Sequence, residues 1–308
     1  MDASRYTALR QRAIRNLEQS WEDLSFENDF VFGAVLRSDL ELCRRLLEAV
    51  LDMPIEHVEL VETQRTTSPA LTAKSIRLDV YVDDGLGSVY DIEMQRTNAS
   101  DLSKRARYYQ SLLDSEQLDR GANYSELPDT YVIFFCTFDP FRKGLRRYTI
   151  RQTCQEDPSV KAHDGTVRVF LNAFGEKGEV SQDLAHILRY MSGVYHSDEG
   201  LVGDIEAGVR KVLSSEELRR QFVMLELKLM DERLAALAEG RAEGRAEGRA
   251  EGRAEVLSSL AALRDALESA GRSDELIAAL GDEEALERLI AEFGINAAGE
   301  TSDETSLP

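Results

Sequence analysis

Hydrophobic residues recur at helical spacing through the first fifty positions of the chain. Over residues 32–50 they return every three or four positions, which predicts an α-helix with one buried face. An amphipathic helix is predicted before it, over Thr7–Glu22. Ser38 and Glu41 have the spacing of a capping box, in which the N-cap and the third helical residue bind each other's backbone amides. We therefore expect the helix to break near Arg37 and to restart there.

The pattern then changes to an alternation of apolar and polar residues, which is typical of half-buried β-strands. It predicts strands over His57–Thr66, Ile76–Asp84 and Ser88–Thr97. Turn-forming residues separate these strands, at Thr67–Ala70 and again in the run Asp-Gly-Leu-Gly at 84–87. We therefore expect neighbouring antiparallel strands, the last two joined by a tight turn.

Helices and strands continue to alternate up to about residue 200. A helix is predicted over Asp101–Leu118, and the continuous apolar run Thr130–Thr137 suits a strand that is buried on both faces. Two more strands, Arg147–Cys154 and Thr166–Ala173, precede a helix over Gln182–Tyr195. The order helix, three strands, helix, strand predicts a mixed α/β domain.

Beyond residue 200 the pattern is helical only, and it contains a repeat. The tetrapeptide Glu-Gly-Arg-Ala occurs four times from Glu239 to Ala254. A period of four advances about 40° per repeat on a 3.6-residue helix, so no fixed face forms, and each glycine costs roughly 1 kcal/mol relative to alanine. The predicted organisation is an N-terminal helix (1–24), an α/β domain (25–200), a helical extension (201–238), a weakly helical, solvated spacer (239–255), a small helical region (256–294) and a disordered tail (295–308).

Charge and composition narrow the class of protein. The 308 residues carry a net charge of −20, which at first argues against a nucleic-acid partner. A large share of the acidic excess lies in residues 256–308, however, whereas Arg142–Arg151 carries five positive charges and no acid. The apolar runs are too short to span a membrane, and Met1–Ser20 lacks the apolar core of a secretory signal. Three unpatterned cysteines indicate reduced, buried thiols, so we expect a cytoplasmic protein.

The second and third predicted strands bring acidic side chains onto one face. With Gly85-Leu86-Gly87 as the loop and Asp84 paired with Ser88, Asp79 lies directly across from Glu93. Their Cβ atoms would be about 4.5–5.5 Å apart. A slip of one residue would mix apolar and polar side chains on each face, so the core constrains this register.

Two carboxylates at that range repel each other unless a cation lies between them. Mg²⁺ binds carboxylate oxygens at about 2.0–2.1 Å and activates water beside a phosphoryl group. Gln95 lies on the same face as Glu93 and could orient a water or a phosphate, although an amide cannot act as a base. The alternative is a solvated hairpin face with Arg77 as the ion-pair partner of the acids. Periodicity alone favours this alternative.

A resemblance changes that balance. The order of elements, with an Asp on one strand and Glu-x-Gln on the next, resembles the PD-(D/E)XK nucleases, and more narrowly the recombination-promoting nuclease family of PD-(D/E)XK transposases. The similarity covers about residues 25–255. It rests on Asp29-Phe30-Val31-Phe32, Leu78-Asp79-Val80, Ile92-Glu93-Met94-Gln95, Arg105-Ala106-Arg107-Tyr108-Tyr109, Gly121-Ala122-Asn123-Tyr124, the apolar strand after Pro128 and the Glu-Gly-Arg-Ala spacer.

The resemblance implies a restriction-endonuclease-like core, α-β-β-β-α-β, with a helical C-terminal extension. It also implies a bacterial endonuclease that hydrolyses DNA phosphodiester bonds with Mg²⁺, or with Mn²⁺ in its place, in recombination or in mobile elements. Asp79 and Glu93 would be metal ligands, and Gln95 takes the place of the superfamily's lysine, which leaves the general base open. Gly33 also stands where we expect a lysine.

Three further assignments have alternatives. Asp29 either reaches the metal from the start of its helix or is an ordinary N-cap. Arg105 either meets the scissile phosphate or forms an ion pair with a site carboxylate, with Tyr109 in the core. Arg142–Arg151 either follows a DNA backbone or is a solvated basic segment.

Two other functions compete with DNA cleavage. The acidic composition, Gly33 and the helical C-terminal region also suit an inactive nuclease-fold scaffold that self-associates through its C-terminal helices. Phosphodiester chemistry on RNA or on another substrate is a third hypothesis.

Overall fold

The computed structural model describes residues 3–61, 79–97, 101–118 and 121–296. The chain divides into two compact units, Met1–Leu225 and Glu226–Pro308. The first unit contains a mixed sheet and helices, so the predicted α/β class is confirmed. Its helices are α1 (Ala3–Ser20), α2 (Asp29–Ser38), α3 (Leu40–Leu51), α4 (Leu102–Gln117), α5 (Gln182–Met191) and α6 (Gly200–Leu213). Its strands are β1 (Glu59–Leu60), β2 (Val80–Asp83), β3 (Ser88–Gln95), β4 (Asp129–Cys136), β5 (Arg147–Ile150) and β6 (Thr166–Asn172).

The strands form one sheet in the order β1-β2-β3-β4-β6-β5. β3, β4 and β6 run parallel at its centre, whereas β1, β2 and β5 pair antiparallel towards its edges. The apolar run predicted over Thr130–Thr137 is β4, which is buried from Thr130 to Cys136. A strand with neighbours on both sides and helices on both faces has no polar surface to present, which explains its continuous apolar sequence.

Helices cover both faces of the sheet. α2, α3, α5 and α6 pack on one face, where alternate β3 residues Tyr90, Ile92 and Met94 join a large apolar core. α4 packs on the other face, where Val89 and Tyr81 belong to a second, smaller core. The alternation along β3 therefore sends Tyr90, Ile92 and Met94 into the large core and places the polar residues that alternate with them beneath α4.

The β2–β3 hairpin has the predicted register. Tyr81 pairs with Asp91 and Val82 with Tyr90, and the Asp84 amide donates to the Ser88 carbonyl at 3.1 Å. Gly85 at the turn has a φ of 67°, a conformation that glycine adopts without the strain of a Cβ. The first part of the predicted strand Ile76–Asp84 and the turn Thr67–Ala70 lie outside the described residues.

Several predicted boundaries need correction. The helix does break after Ser38, but the N-cap of α3 is Asp39, whose carboxylate accepts from the Leu42 amide at 2.9 Å. The expected capping box is wrong, because Glu41 instead pairs with Arg44. Asp and Ser cap helices with the same geometry, so the sequence alone did not distinguish Asp39 from Ser38 as the N-cap. β5 ends at Ile150, which leaves Cys154 half-exposed, whereas Cys43 and Cys136 are buried as expected.

The described residues beyond β6 are mainly helical. α7 (Glu216–Ser269) includes the whole repeat Glu239–Ala254, whose side chains are almost all exposed. α8 (Ser273–Ala279) and α9 (Glu283–Glu292) follow, and Leu263, Leu267 and Ile295 form a small buried cluster. In the described part of the chain, none of the helices combines the length and apolar character needed to cross a bilayer.

Candidate active site

The acidic face of the hairpin lies beneath α4 and is not solvated. Asp91, Glu93 and Gln95 alternate along β3 on that face, and their exposed fractions are 0%, 1% and 7%. A solvated hairpin face, the alternative expected from the sequence, is therefore wrong, whereas its suggested ion-pair partner Arg77 lies outside the described residues. A buried carboxylate is unfavourable unless hydrogen bonds or a counter-charge compensate it, so each of these side chains calls for a partner.

Asp79 and Glu93 are held together through each other's backbone. Asp79 immediately precedes β2, and its amide donates to Oε1 of Glu93 at 3.1 Å. Oδ2 of Asp79 accepts from the Met94 amide at 3.0 Å. These two bonds fix both carboxylates at the end of the hairpin, where the observed register extends to an Asp79–Glu93 pair.

Arg105 of α4 brings the positive charge. Its Nη2 donates to Oε2 of Glu93 at 3.2 Å, and its Nη1 donates to Oε1 of Gln95 at 2.7 Å. The hydroxyl of Tyr109, one helical turn further along, accepts from Nε at 3.0 Å and from Nη2 at 2.8 Å. The guanidinium carbon also lies 5.0 Å from the Tyr109 ring centroid and 5.7 Å from that of Phe134, within the range of cation–π attraction.

These contacts agree with the second of the two alternatives for Arg105. Tyr109 is buried in the core beneath α4, and Arg105 pairs with a carboxylate of the candidate site. The ion pair therefore places Arg105 within the cluster. Whether it also contacts a phosphate stays a prediction.

Both polar atoms of the Gln95 side-chain amide form hydrogen bonds. Its oxygen accepts from Arg105, and its nitrogen donates to the Thr97 carbonyl at 2.7 Å. Because the two ends of the amide have opposite polarity, this pair of bonds sets the orientation of the side chain. In this arrangement Gln95 holds the guanidinium of Arg105 over the acids.

Asp91 is a member of the cluster that the sequence argument left unassigned. It is fully buried, and within the described residues neither of its carboxylate oxygens has a hydrogen-bond partner. Its position two residues before Glu93 on the same face was the available signal. Burial, and then the negative charge of Asp79, raise the pKa of Asp91 well above its usual range.

The pKa of Glu93 is also raised well above its usual range. Burial is the largest cause, followed by the charges of Asp91 and Asp79, whereas Arg105 lowers it. The two buried acids Asp91 and Glu93 therefore share the guanidinium of Arg105 as a compensating charge. Protons are the species that can neutralise the excess negative charge when no other cation is bound.

Asp29 takes part in none of the contacts described above for the cluster. The N-cap of α2 is Asn28, whose side chain accepts from the Val31 amide at 3.2 Å, so the N-cap interpretation of Asp29 is wrong. Asp29 is exposed, and its Oδ1 accepts from the Phe30 amide at 3.0 Å. It is absent from the charges that act on the pKa of Glu93. A metal role for Asp29 stays a prediction without support from this geometry.

Arg37 is a second residue that the sequence argument missed. One of its terminal nitrogens donates to the backbone carbonyl of Asp79. The guanidinium lies over Gly33, where an added Cβ would come within 2.5 Å of Nη1 of Arg37. Their spacing of four places both on one helical face. Gly33 stands where we expect a lysine from the sequence. Without a side chain it leaves room for the guanidinium of Arg37, one helical turn further along.

The candidate metal ligands are oxygen donors only. Carboxylate oxygens suit a hard divalent cation, and the two unpartnered oxygens of Asp91 add donors beside Asp79 and Glu93. Among the residues that the structure describes, however, no three acidic, His or Cys side chains are already arranged to hold a metal ion. The donor types therefore fit such an ion, and their present positions are set by Arg105 and the backbone amides.

Comparison with known protein families gives a match over part of the chain. Residues 26–154 match the family model of the PD-(D/E)XK nuclease family transposases. This segment runs from the residues before α2 to just beyond β5 and includes the whole cluster. No curated protein and no solved structure matches the chain significantly. The resemblance noted in the sequence is thus confirmed over the matched residues.

Proposed function

We propose that this chain, whose residues 26–154 match the model of the PD-(D/E)XK nuclease family transposases, is a metal-dependent endonuclease that hydrolyses DNA phosphodiester bonds. The proposal includes the α-β-β-β-α-β nuclease core and a role in recombination or mobile elements in the bacterial cytoplasm. The family match supports a nuclease or transposase-related role in general. The finer assignment rests on the cluster.

The observation that carries the proposal is the imbalance of charge beneath α4. Asp79, Asp91 and Glu93 converge on one face, and Arg105 is the cation that acts on both buried acids. A divalent cation would replace the protons that otherwise neutralise these acids. Mg²⁺, or Mn²⁺ in its place, is the choice for an all-oxygen donor set.

Asp79 and Glu93 are the proposed ligands. When bound, such an ion polarises a phosphoryl oxygen and activates water for attack. Glu93 would exchange part of its bond to Arg105 for the ion, which frees a guanidinium edge for the non-bridging oxygens of a phosphate. Gln95 and Tyr109 act as positioning residues, since both bind Arg105 directly.

Cleavage of supercoiled plasmid in Mg²⁺ or Mn²⁺ tests the proposal. The variant Asp79→Ala removes a proposed ligand and should lower the rate of nicking by more than about 100-fold, and a chelator should abolish nicking by the wild type. Asp83→Ala is the matched control, because Asp83 lies on the same hairpin but outside the cluster, where its carboxylate accepts from Gly85. Cleavage by Asp79→Ala at the wild-type rate would contradict the assignment.

An inactive scaffold with the nuclease fold is the second candidate. This candidate is favoured because both carboxylate oxygens of Glu93 already accept hydrogen bonds, one from the Asp79 amide and one from Arg105. Exposed apolar residues on α7, among them Leu237 and Leu257, would suit self-association through the C-terminal helices. A scaffold should give no shift in melting temperature with Mg²⁺ or Mn²⁺, whereas the proposed enzyme should be stabilised by either ion.

A further inference from the structure

The sheet brings the candidate active site and several loops to one edge. Gln95, the last residue of β3, pairs with Cys136, the last residue of β4. Cys136 in turn pairs with Asn172, the last residue of β6. Because these three strands are parallel, their carboxyl ends and the segments that follow them lie along the same edge. β5 runs antiparallel to β6, so Arg147 at its start also lies at this edge, paired with Leu171.

Two of these segments are tied to each other. The amides of Glu176 and Lys177 donate to the Gly144 carbonyl at 3.1 and 2.9 Å, and the Arg146 amide donates to the Lys177 carbonyl at 2.9 Å. The Asn172 side chain also donates to the Leu145 carbonyl at 3.1 Å. The loop between β4 and β5 and the loop after β6 therefore form one hydrogen-bonded ridge.

Asp139 fixes the shape of the first loop. Its carboxylate accepts from the Arg142 amide at 2.9 Å, from the Gly144 amide at 2.7 Å and from the Tyr148 hydroxyl at 2.7 Å. Both carboxylate oxygens of Asp139 are thus engaged in bonds within the loop, and the residues Arg142 and Lys143 are exposed. The loop presents cations on a rigid backbone.

Besides Arg147, whose side chain donates to the Val50 carbonyl at 2.7 Å, five cations lie along this edge, and we name these five the basic edge. Four have exposed side chains, and that of Arg146 is half-exposed and donates to the Gly178 carbonyl at 2.9 Å. Within the described part of the chain none of the five forms an ion pair with an acid, although the exposed acids Glu176 and Glu179 are near in sequence. The basic edge consists of Arg96, Arg142, Lys143, Arg146 and Lys177.

We propose that the basic edge binds the phosphate backbone of double-stranded DNA and leads it to the acidic cluster at Glu93. This inference rests on the proposed function and names the surface through which that function reaches its substrate. Neighbouring strands are about 4.8 Å apart, so the distance from β3 to β5 is roughly 14 Å. One DNA strand presents a phosphate about every 3.4 Å along the helix axis, so an edge of this length meets about four phosphates.

The basic segment Arg142–Arg151 is thereby divided in two. Its first residues belong to the basic edge, whereas Arg151 follows the opposite end of β5. At about 3.3 Å per residue, Arg151 lies roughly 13 Å from Arg147 along the strand. We therefore assign DNA contact to the residues before Arg147. For Arg151 we retain the alternative, a solvated basic residue without DNA contact.

Binding of a fluorescein-labelled DNA duplex, measured by anisotropy in EDTA so that no cleavage occurs, tests the inference. The triple variant Arg142→Ala/Lys143→Ala/Lys177→Ala should raise the Kd at least about tenfold and reduce the slope of log K against log salt by about 2 to 3. The matched control is Arg151→Ala/Lys161→Ala/Arg168→Ala, which removes the same charge from the opposite end of β5 and β6. Its Kd should stay within about twofold of the wild type.

Equal weakening by the two triple variants would overturn the inference, because only net charge would then matter. An unchanged affinity of the first variant for duplex DNA would also overturn it. So would a wild type that binds single-stranded DNA and RNA as tightly as it binds duplex DNA. Circular dichroism and thermal melting verify that both variants fold. Plasmid cleavage is measured separately, so a wild type that binds duplex through the basic edge but never cuts it supports this inference and contradicts the proposed enzyme.

Discussion

Asp91 combines burial, negative charge and missing hydrogen-bond partners in one side chain. Its carboxylate is fully buried, both oxygens lack a partner among the described residues, and Asp79 adds a like charge nearby. Such a group destabilises the folded state when it is ionised. Destabilised polar groups of this kind concentrate at functional sites, which agrees with the position of Asp91 beside Glu93.

The stability of the metal-free protein should therefore depend on pH through Asp91. Its folded-state pKa is raised, so the stability it contributes is fully present below its ordinary value of 3.8 and is lost as the pH rises through the raised value. In EDTA, Asp91→Asn should unfold at a higher temperature than the wild type at pH 8, by roughly 1–3 kcal/mol in free energy of unfolding, and should differ little near pH 4. Thermal melting across this pH range measures the effect.

The control for this prediction is Asp83→Asn, which changes a carboxylate of the same hairpin outside the cluster. Its melting temperature relative to the wild type should not increase with pH. A wild type that is more stable at pH 8 than Asp91→Asn would show that Asp91 is ionised and well compensated in the folded protein, contrary to the expectation.

At the scale of the elements, α7 is a helix whose repeat gives it no buried face. The glycines of the Glu-Gly-Arg-Ala repeat lie within the helix, and an added Cβ at any of them would meet nothing within 4 Å. Each glycine lowers local helix stability without a packing reason in the described contacts. The repeat thus suits a spacer whose helix opens more easily than the segments around it.

Replacing the four repeat glycines should strengthen α7. The variant Gly240→Ala/Gly244→Ala/Gly248→Ala/Gly252→Ala should slow amide hydrogen exchange in the repeat, since each change stabilises the local helix by up to about 1 kcal/mol. Gly271→Ala is a contrasting control: it also has open space for a Cβ, but its φ of +72° disfavours alanine, so it should destabilise its own turn. Unchanged exchange in the quadruple variant would indicate that the repeat is already as stable as its flanks.

At the scale of the whole molecule, two electrostatic effects have opposite signs. The chain as a whole carries a charge of −20, so its folded state suffers self-repulsion, whereas the basic edge attracts the phosphates of DNA. Salt screens both interactions, because the Debye length falls from about 30 Å at 0.01 M to about 8 Å at 0.15 M.

Added salt should therefore stabilise the fold and weaken DNA binding. Between low and physiological ionic strength we expect the melting temperature of the free protein to rise by a few degrees, while its affinity for duplex DNA falls by at least about tenfold. Differential scanning calorimetry and anisotropy titrations in the same buffers measure the two effects. A melting temperature that falls with salt would mean that ion pairs such as Arg105–Glu93 outweigh the general repulsion.

The sequence by itself determined the parts of this protein that depend on local periodicity. The alternation along residues 80–95 and the Gly-Leu-Gly loop determined the hairpin register and the pairing of Asp79 with Glu93, because a slip of one residue would turn polar side chains towards the apolar core. The apolar run of β4 determined its burial in the same way. A short motif on these elements was enough to indicate the family whose model matches residues 26–154.

The tertiary structure alone decided which groups surround the acids. α4 covers the polar face of β3, and this packing converts Asp91 from a plausible surface residue into a buried carboxylate without partners. Arg37 reaches Asp79 across 42 positions of sequence, and the strand order brings the loop at Lys143 to the same edge as Gln95. Contacts between residues far apart in the chain depend on how elements pack, and the period of each element carries no information about its neighbours.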